Sequence, residues 1–180
     1  MTNSPALFAR DMQEMFGEVF FNAVVEVSGR TVSGVMVIKK DEANKCRILF
    51  TTVAGPKLMD MYISQNDYKI LYVIKKLKRR IILRQFQQDF ALISGLYLFG
   101  DNKNCENDSC TVILPKKKSA HYSFDAQNRI CKAEYRGKGK LLAEVVYIYN
   151  NNDEIESISL RHHNFNMKIT LSVRKLFPDV

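Results

Sequence analysis

Met59-Asp60-Met61-Tyr62-Ile63-Ser64-Gln65-Asn66-Asp67-Tyr68-Lys69-Ile70-Leu71-Tyr72-Val73-Ile74 places apolar residues on both sides of one turn signal. Asn66-Asp67 reads as a two-residue hairpin loop. Pairing outward from it sets Ile63 opposite Ile70, Met61 opposite Tyr72 and Met59 opposite Ile74. A loop at Gly29-Arg30 likewise sets Val27 opposite Val32, Ala23 opposite Met36 and Phe21 opposite Ile38. Side chains alternate with period two, so a slip of one residue sends each set to the wrong face. Turn chemistry and apolar pattern agree, which is the strongest evidence a single sequence offers.

The same pairing works toward the C-terminus. Gly137-Lys138-Gly139 fits a three-residue loop, setting Tyr135 opposite Leu141, Ala133 opposite Ala143 and Cys131 opposite Val145, with Lys132 opposite Glu144 on the reverse face. The Asn150–Asp153 run is the next turn, bringing Val145 near Ile158 and Ala143 near Leu160. A loop over His163–Asn166 sets Leu160 against Ile169 and Ile158 against Leu171. Between these meanders, Ile82, Phe86, Phe90 and Ile93 recur at helix spacing, and Gly95 suits a C-cap. Leu7, Phe8, Met12, Met15 and Phe16 predict a shorter N-terminal helix. Leu96–Phe99 reads as strand or loop, and Asp101–Ser109 as a surface loop.

The fold class read from these elements is mainly β (α+β). It is a strongly curved antiparallel sheet, an incomplete barrel of nine or more strands, with one or two helices lidding its concave face. One domain covers residues 1–180: an N-terminal helix at 1–17, a first meander at 18–76, an inserted helix at 78–95 and a second meander at 110–176.

Catalytic signatures are missing. His121, His162 and His163 form no chelating set, because adjacent strand residues point to opposite faces, and His162 reads as an inward core or rim histidine. Asp60 and Asp89 read as isolated carboxylates, and no phosphate loop, dinucleotide fingerprint or nucleophile elbow is present. The expectation is a protein that is not an enzyme, with no cofactor and no metal. Cys105 and Cys110 are spaced either to close a small disulfide ring or to stay reduced, and Cys46 and Cys131 lie in apolar strands. The net charge of +8 concentrates in Lys75–Arg84 and Lys116–Lys118. Such runs either contact phosphates or simply solvate the surface.

The outer face of the second meander is polar, with Lys132, Glu134, Ser157, Ser159, Lys168 and Thr170, and its inner face is apolar. Two modest helices have a broad apolar sheet to cover. Beneath them lies either a filled core or a cavity softened by Met36, Met59, Met61 and Met167.

Val32-Ser33-Gly34-Val35-Met36-Val37-Ile38-Lys39-Lys40, then Arg47-Ile48-Leu49-Phe50-Thr51 and Gly55-Pro56-Lys57-Leu58-Met59-Asp60, carry a resemblance. Together with the layout over residues 5–175, they resemble the periplasmic lipoprotein-carrier and outer-membrane lipoprotein-acceptor (LolA/LolB-like) superfamily. That resemblance implies non-enzymatic binding of a lipid, acyl chain or lipoprotein in an apolar cavity. The apolar strand and helix faces read above give such a cavity its lining: Phe21, Met36, Phe50, Met59, Met61, Ile70, Tyr72, Phe86, Phe90, Ala143 and Val145. Lys75, Lys76, Arg79 and Arg80 would meet an anionic headgroup at the rim. The implied partners are acyl chains and the outer-membrane surface, without specific nucleic acid, and the implied state is a monomer. The implied place is the periplasm or the outer membrane rather than the cytoplasm, with an export signal and an acylated cysteine upstream of this chain. The alternatives are a packed interaction module whose basic face docks a partner, and a weak nucleic-acid binder.

Overall fold

Alternating burial along nearly every strand-forming segment builds a sheet with one buried face. The computed structural model describes residues 18–42 and 44–174. The first meander holds β1 (Glu18–Val27), β2 (Arg30–Glu42), β3 (Lys45–Thr51), β4 (Lys57–Ile63) and β5 (Tyr68–Val73). The second holds β6 (Lys103–Glu106), β7 (Ser109–Leu114), β8 (Lys118–Phe124), β9 (Ile130–Gly137), β10 (Lys140–Tyr149), β11 (Ile155–His162) and β12 (Met167–Val173). All twelve form one open antiparallel sheet in the order β5-β4-β3-β2-β1-β12-β11-β10-β9-β8-β7-β6. The meanders join where the first strand pairs with the last, Val25 opposite Ile169 and Ala23 opposite Leu171. The expected N-terminal helix lies outside the described residues.

Registers follow turn conformation. Ser28 and Gly29 both take positive φ, so the β1–β2 turn sits one residue earlier than Gly29-Arg30, because this tight hairpin needs the left-handed conformation at both central positions. The register shifts by two: Phe21 faces Met36 and Ala23 faces Gly34. An even shift leaves every face unchanged. Gly34 is obligatory, since a Cβ there would lie 1.9 Å from the Thr51 carbonyl oxygen.

The β4–β5 turn spans four residues, Ser64–Asp67. The Ser64 amide donates to the Asp67 carbonyl at 2.9 Å, and the Asp67 amide to Ser64 Oγ at 3.3 Å. Ile63 therefore pairs with Tyr68 and Met61 with Ile70. A bulge at Leu71 then puts Tyr72 opposite Asp60. This odd shift turns Tyr72 to the outer face, 45% exposed, where Val73 packs on the core instead. The inward assignment of Tyr72 is thus corrected, whereas Met61 is buried as expected.

In the second meander, Lys138-Gly139 is a two-residue turn and a bulge at Leu142 restores Ala143 and Val145 to the inside, opposite Tyr135 and Ala133. Glu144 faces Glu134, not Lys132, and Lys132 reaches Glu144 diagonally at 3.7 Å. Ile130 and Ala133 take the inward positions and Cys131 does not. Val145 faces Leu160 and Ala143 faces His162, two residues from the expected register. The β11–β12 register is as expected. Asp101–Ser109 is not a loop. It supplies β6, a short edge strand clamped to β7 by the Cys105–Cys110 disulfide across a directly paired position. Leu96–Phe99 is a 3-10 turn rather than strand or loop.

Helix α1 (Arg80–Ile93) lies in the concavity, packing on β4, β9 and β11. Phe86, Phe90 and Ile93 share its buried face, as their spacing predicts. Gly95, at φ 66°, breaks the helix and starts the Leu96–Phe99 turn. No helix among the described residues is long and apolar enough to cross a membrane.

Candidate ligand site on the concave face

The inner face gathers the expected lining. Phe21, Met36, Phe50, Met59, Met61, Phe86, Phe90, Ala143 and Val145 are all buried in one apolar cluster, and Ile70 packs against its edge. Tyr72 alone is outside it. The interior is filled mainly by α1 itself, with the Phe86 and Phe90 rings 6.1 Å apart between the sheet walls. Two clefts open elsewhere. One of about 430 Å³ lies among Ser64–Asn66, Phe99–Asn102 and Val112–Pro115, and one of about 600 Å³ indents the outer face near Glu26, Glu144 and Arg161. None of the expected ligand residues lines either.

Polar contacts fasten the second half of α1. The Tyr147 hydroxyl donates to the Ile93 carbonyl at 2.6 Å and the Tyr122 hydroxyl to the Leu92 carbonyl at 3.3 Å. They satisfy carbonyls that a helix C-terminus leaves free. Gln87 Nε2 donates to the Ser64 and Gln65 carbonyls at 2.8 and 2.9 Å. His162 Nε2 lies 3.0 Å from Asp89, both side chains only 2% exposed, and Gln85 Nε2 donates to the same carboxylate at 2.8 Å. Burial pushes the Asp89 carboxyl up, while His162 and Gln85 pull it back. Neither sequence-isolated carboxylate is isolated in space. Asp60, on the outer face, receives Arg47 through two bonds at 3.0 and 2.9 Å and Lys57 at 2.9 Å.

The first half of α1 is different. Its N-cap is Arg79, without a side-chain capping bond, and its first turn has no acidic residue. Arg79 and Arg80 oppose the positive end of the helix dipole, at a cost of about 0.3–1 kcal/mol each. Ile81 is 78% exposed. The four expected rim cations, Lys75, Lys76, Arg79 and Arg80, lie at this end, and a 3-10 turn over Lys75–Leu77 carries the first two. Across the opening, burial first and then the neighbouring cations Lys116 and Arg84 hold the Lys118 ammonium below its ordinary range. Two basic runs distant in sequence are neighbours here.

Sequence reasoning missed Gln87, Asp89, His162, Tyr122 and Tyr147 as anchors. The available signal was Gln87 and Asp89 flanking Phe90 in a helix too broadly buried to leave them in solvent. Their partners come from β4–β5, β8, β10 and β11, which only the tertiary fold brings near.

No family model matches the sequence, and no curated protein matches it. Among solved structures, a DUF1329 family protein from Desulfovibrio piger superposes with a TM-score of 0.50 at 7% identity, over 94% of this chain and 90% of that one. A Vibrio parahaemolyticus domain assigned to outer membrane lipoprotein sorting gives 0.48 at 10% identity, over 95% and 89%. The Mycobacterium tuberculosis lipoprotein LppX gives 0.29 at 10%, over 94% and 91%. At 7% identity the likeness to the Desulfovibrio piger protein is one of fold alone, and the fold of this chain is an open antiparallel sheet around a helix, the architecture that the sequence resemblance implies.

Proposed function

We propose that this protein binds lipid or lipoprotein acyl chains non-enzymatically in the cell envelope, by exchanging α1 for the ligand on the concave face. The observation that carries this reading is the uneven hold on α1. Its second half is fastened by Tyr122, Tyr147, Gln87 and Asp89–His162, whereas its first half is uncapped and cationic. Lifting that first half would withdraw Phe86 from the apolar cluster that it shares with Phe50, Met59 and Met61. The sheet does not close, so the walls yield without breaking strand pairs. An acyl chain would replace the helix contacts at about 25 cal/mol per Å² of apolar surface withdrawn from water. The Cys105–Cys110 disulfide supports an oxidising compartment.

The experiment is titration with a fluorescent long-chain acyl probe, alongside mass spectrometry of lipid extracted from the purified chain. Saturable uptake is expected, and the Tyr122→Phe/Tyr147→Phe variant, with a loosened helix, should load faster. The filled interior favours a second reading, a packed interaction module. Absence of uptake by both proteins, with α1 amides exchanging only on global unfolding, would establish that module instead.

A further inference from the structure

Because the strands alternate in direction, their connections fall on two rims of the sheet. One rim holds Ser28-Gly29, Thr52–Pro56, the Ile74–Arg79 passage into α1, the entry into β6 at Asp101-Asn102, Pro115–Lys117, Lys138-Gly139 and His163–Asn166. These connections contain Lys75, Lys76, Lys78 and Arg79, then Lys116 and Lys117, then Lys138, against one carboxylate, Asp101, in the segment that enters β6. The other rim has Asp67, Asp108, Asp125, Asp153 and Glu154 in its turns. Its one cation there, Arg129, is held by Asp125 and Asp153 at 2.6 Å each. The charge of the connections, Asp101 aside, is therefore sorted by rim.

The cations of the first rim form one field. The Lys138 amide donates to the Lys117 carbonyl at 2.9 Å, tying two basic turns together. Pro115–Lys117 leads directly into Lys118, which pairs with Gly137 in β9 and stands across the opening from α1. Among the described residues, none of the lysines and arginines in these connections forms an ion pair with a carboxylate. Exposed apolar side chains sit among them. Ile81, just inside α1, and Val53 are each 78% exposed, and Phe165 occupies the β11–β12 turn on the same rim. No large exposed apolar residue falls in a connection of the acidic rim among the described residues.

We propose that the basic rim docks on the surface of a membrane containing anionic phospholipid, with Ile81 entering the headgroup layer and the surrounding lysines and arginines meeting phosphates. Cations without an ion pair among the described residues, on one rim with protruding apolar groups, fit an interface that is charged outside and oily beneath. A nucleic acid offers the phosphates without the oil, and leaves Ile81 no role. This docking stands apart from acyl uptake, since it needs only the outer surface.

The test is co-sedimentation of the full chain with vesicles of phosphatidylcholine alone or mixed with phosphatidylglycerol, at low and high salt. Binding is expected only to the mixed vesicles and should fall more than tenfold as salt rises. Lys116, Lys117 and Lys138 have positive φ, so Asn substitutions remove charge in a conformation Asn accepts. The triple Lys116→Asn/Lys117→Asn/Lys138→Asn variant should bind about tenfold more weakly. Ile81→Asp should do the same, and Lys69→Glu, on the edge strand, should bind as the parent does. Melting curves confirm that each variant is folded. Equal binding to both vesicle types, or parent-like binding by the folded rim variants, would overturn the proposal. So would salt-sensitive binding to duplex RNA that Ile81→Asp leaves intact, combined with indifference to vesicles. A chain that takes up the acyl probe but ignores mixed vesicles sinks the docking alone.

Discussion

Asp60 illustrates how much a single side chain depends on which partner is buried. Its carboxylate is 2% exposed, whereas Arg47 and Lys57, which bond it, are 40% and 43% exposed. Removing the anion leaves cations that water can solvate, so Asp60→Asn should cost only about 1 kcal/mol. Removing Arg47 leaves a buried charge half-compensated, and Arg47→Gln should cost about 2 kcal/mol or more. The Arg47 bonds, ahead of all other influences, hold the Asp60 carboxyl below its ordinary value. Its stabilisation is therefore present above the unfolded value and disappears as pH falls through the folded one. Acid titration followed by circular dichroism should show Arg47→Gln unfolding at higher pH than the parent; identical acid midpoints would dissolve the argument. Gly34 makes the complementary point about space. A methyl group there meets the Thr51 backbone, so Gly34→Ala should destabilise by roughly 3 kcal/mol in urea unfolding, as β2 and β3 are forced apart.

At the scale of elements, α1 is a helix with two characters. Native-state hydrogen exchange should read them as a gradient, with amides around Leu83–Phe86 opening at lower free energy than those at Phe90–Ile93. Uniform protection along the helix would contradict the uneven hold. Tyr147→Phe leaves the Ile93 carbonyl short of its donor in a buried site, which should cost about 1–3 kcal/mol and lower protection in the second half. The short strand β6 is an edge that the Cys105–Cys110 bridge keeps in place. In the chain-entropy view, a loop this small is worth about 2 kcal/mol. Reduction should therefore free β6 locally, detected by exchange at Lys103–Glu106, without melting the rest of the sheet.

For the whole molecule, the decisive contact is β1 with β12, strands from opposite ends of the described chain. That pairing makes one sheet of two meanders, and α1 touches both, so the meanders should unfold together. Leu171, fully buried opposite Ala23, belongs to this seam. Leu171→Ala should cost about 2–5 kcal/mol and shift a single calorimetric transition downward. Two separate transitions would show that the halves are independent. Contacts of such sequence separation also place folding in the slow range, milliseconds to seconds.

The sequence by itself determined which residues share the inner face, because alternation survives any register error of two. Phe21, Met36, Met61, Ala143 and Val145 all stayed inside although their partners moved. It also determined the buried face of α1, since helical spacing is local. Tyr72 went outward because one extra residue, Leu71, turns an even shift into an odd one, and no local pattern announces a bulge. The β6–β7 hairpin hid in a polar stretch whose strand character comes from its neighbours and its disulfide rather than its composition. Only the tertiary structure decided that the ends of the chain pair, that Asp89 meets His162, and that Arg84 stands beside Lys118. Those are contacts between residues far apart in the chain, and the energies that select them depend on burial and geometry that exist only once the sheet has curved around its helix.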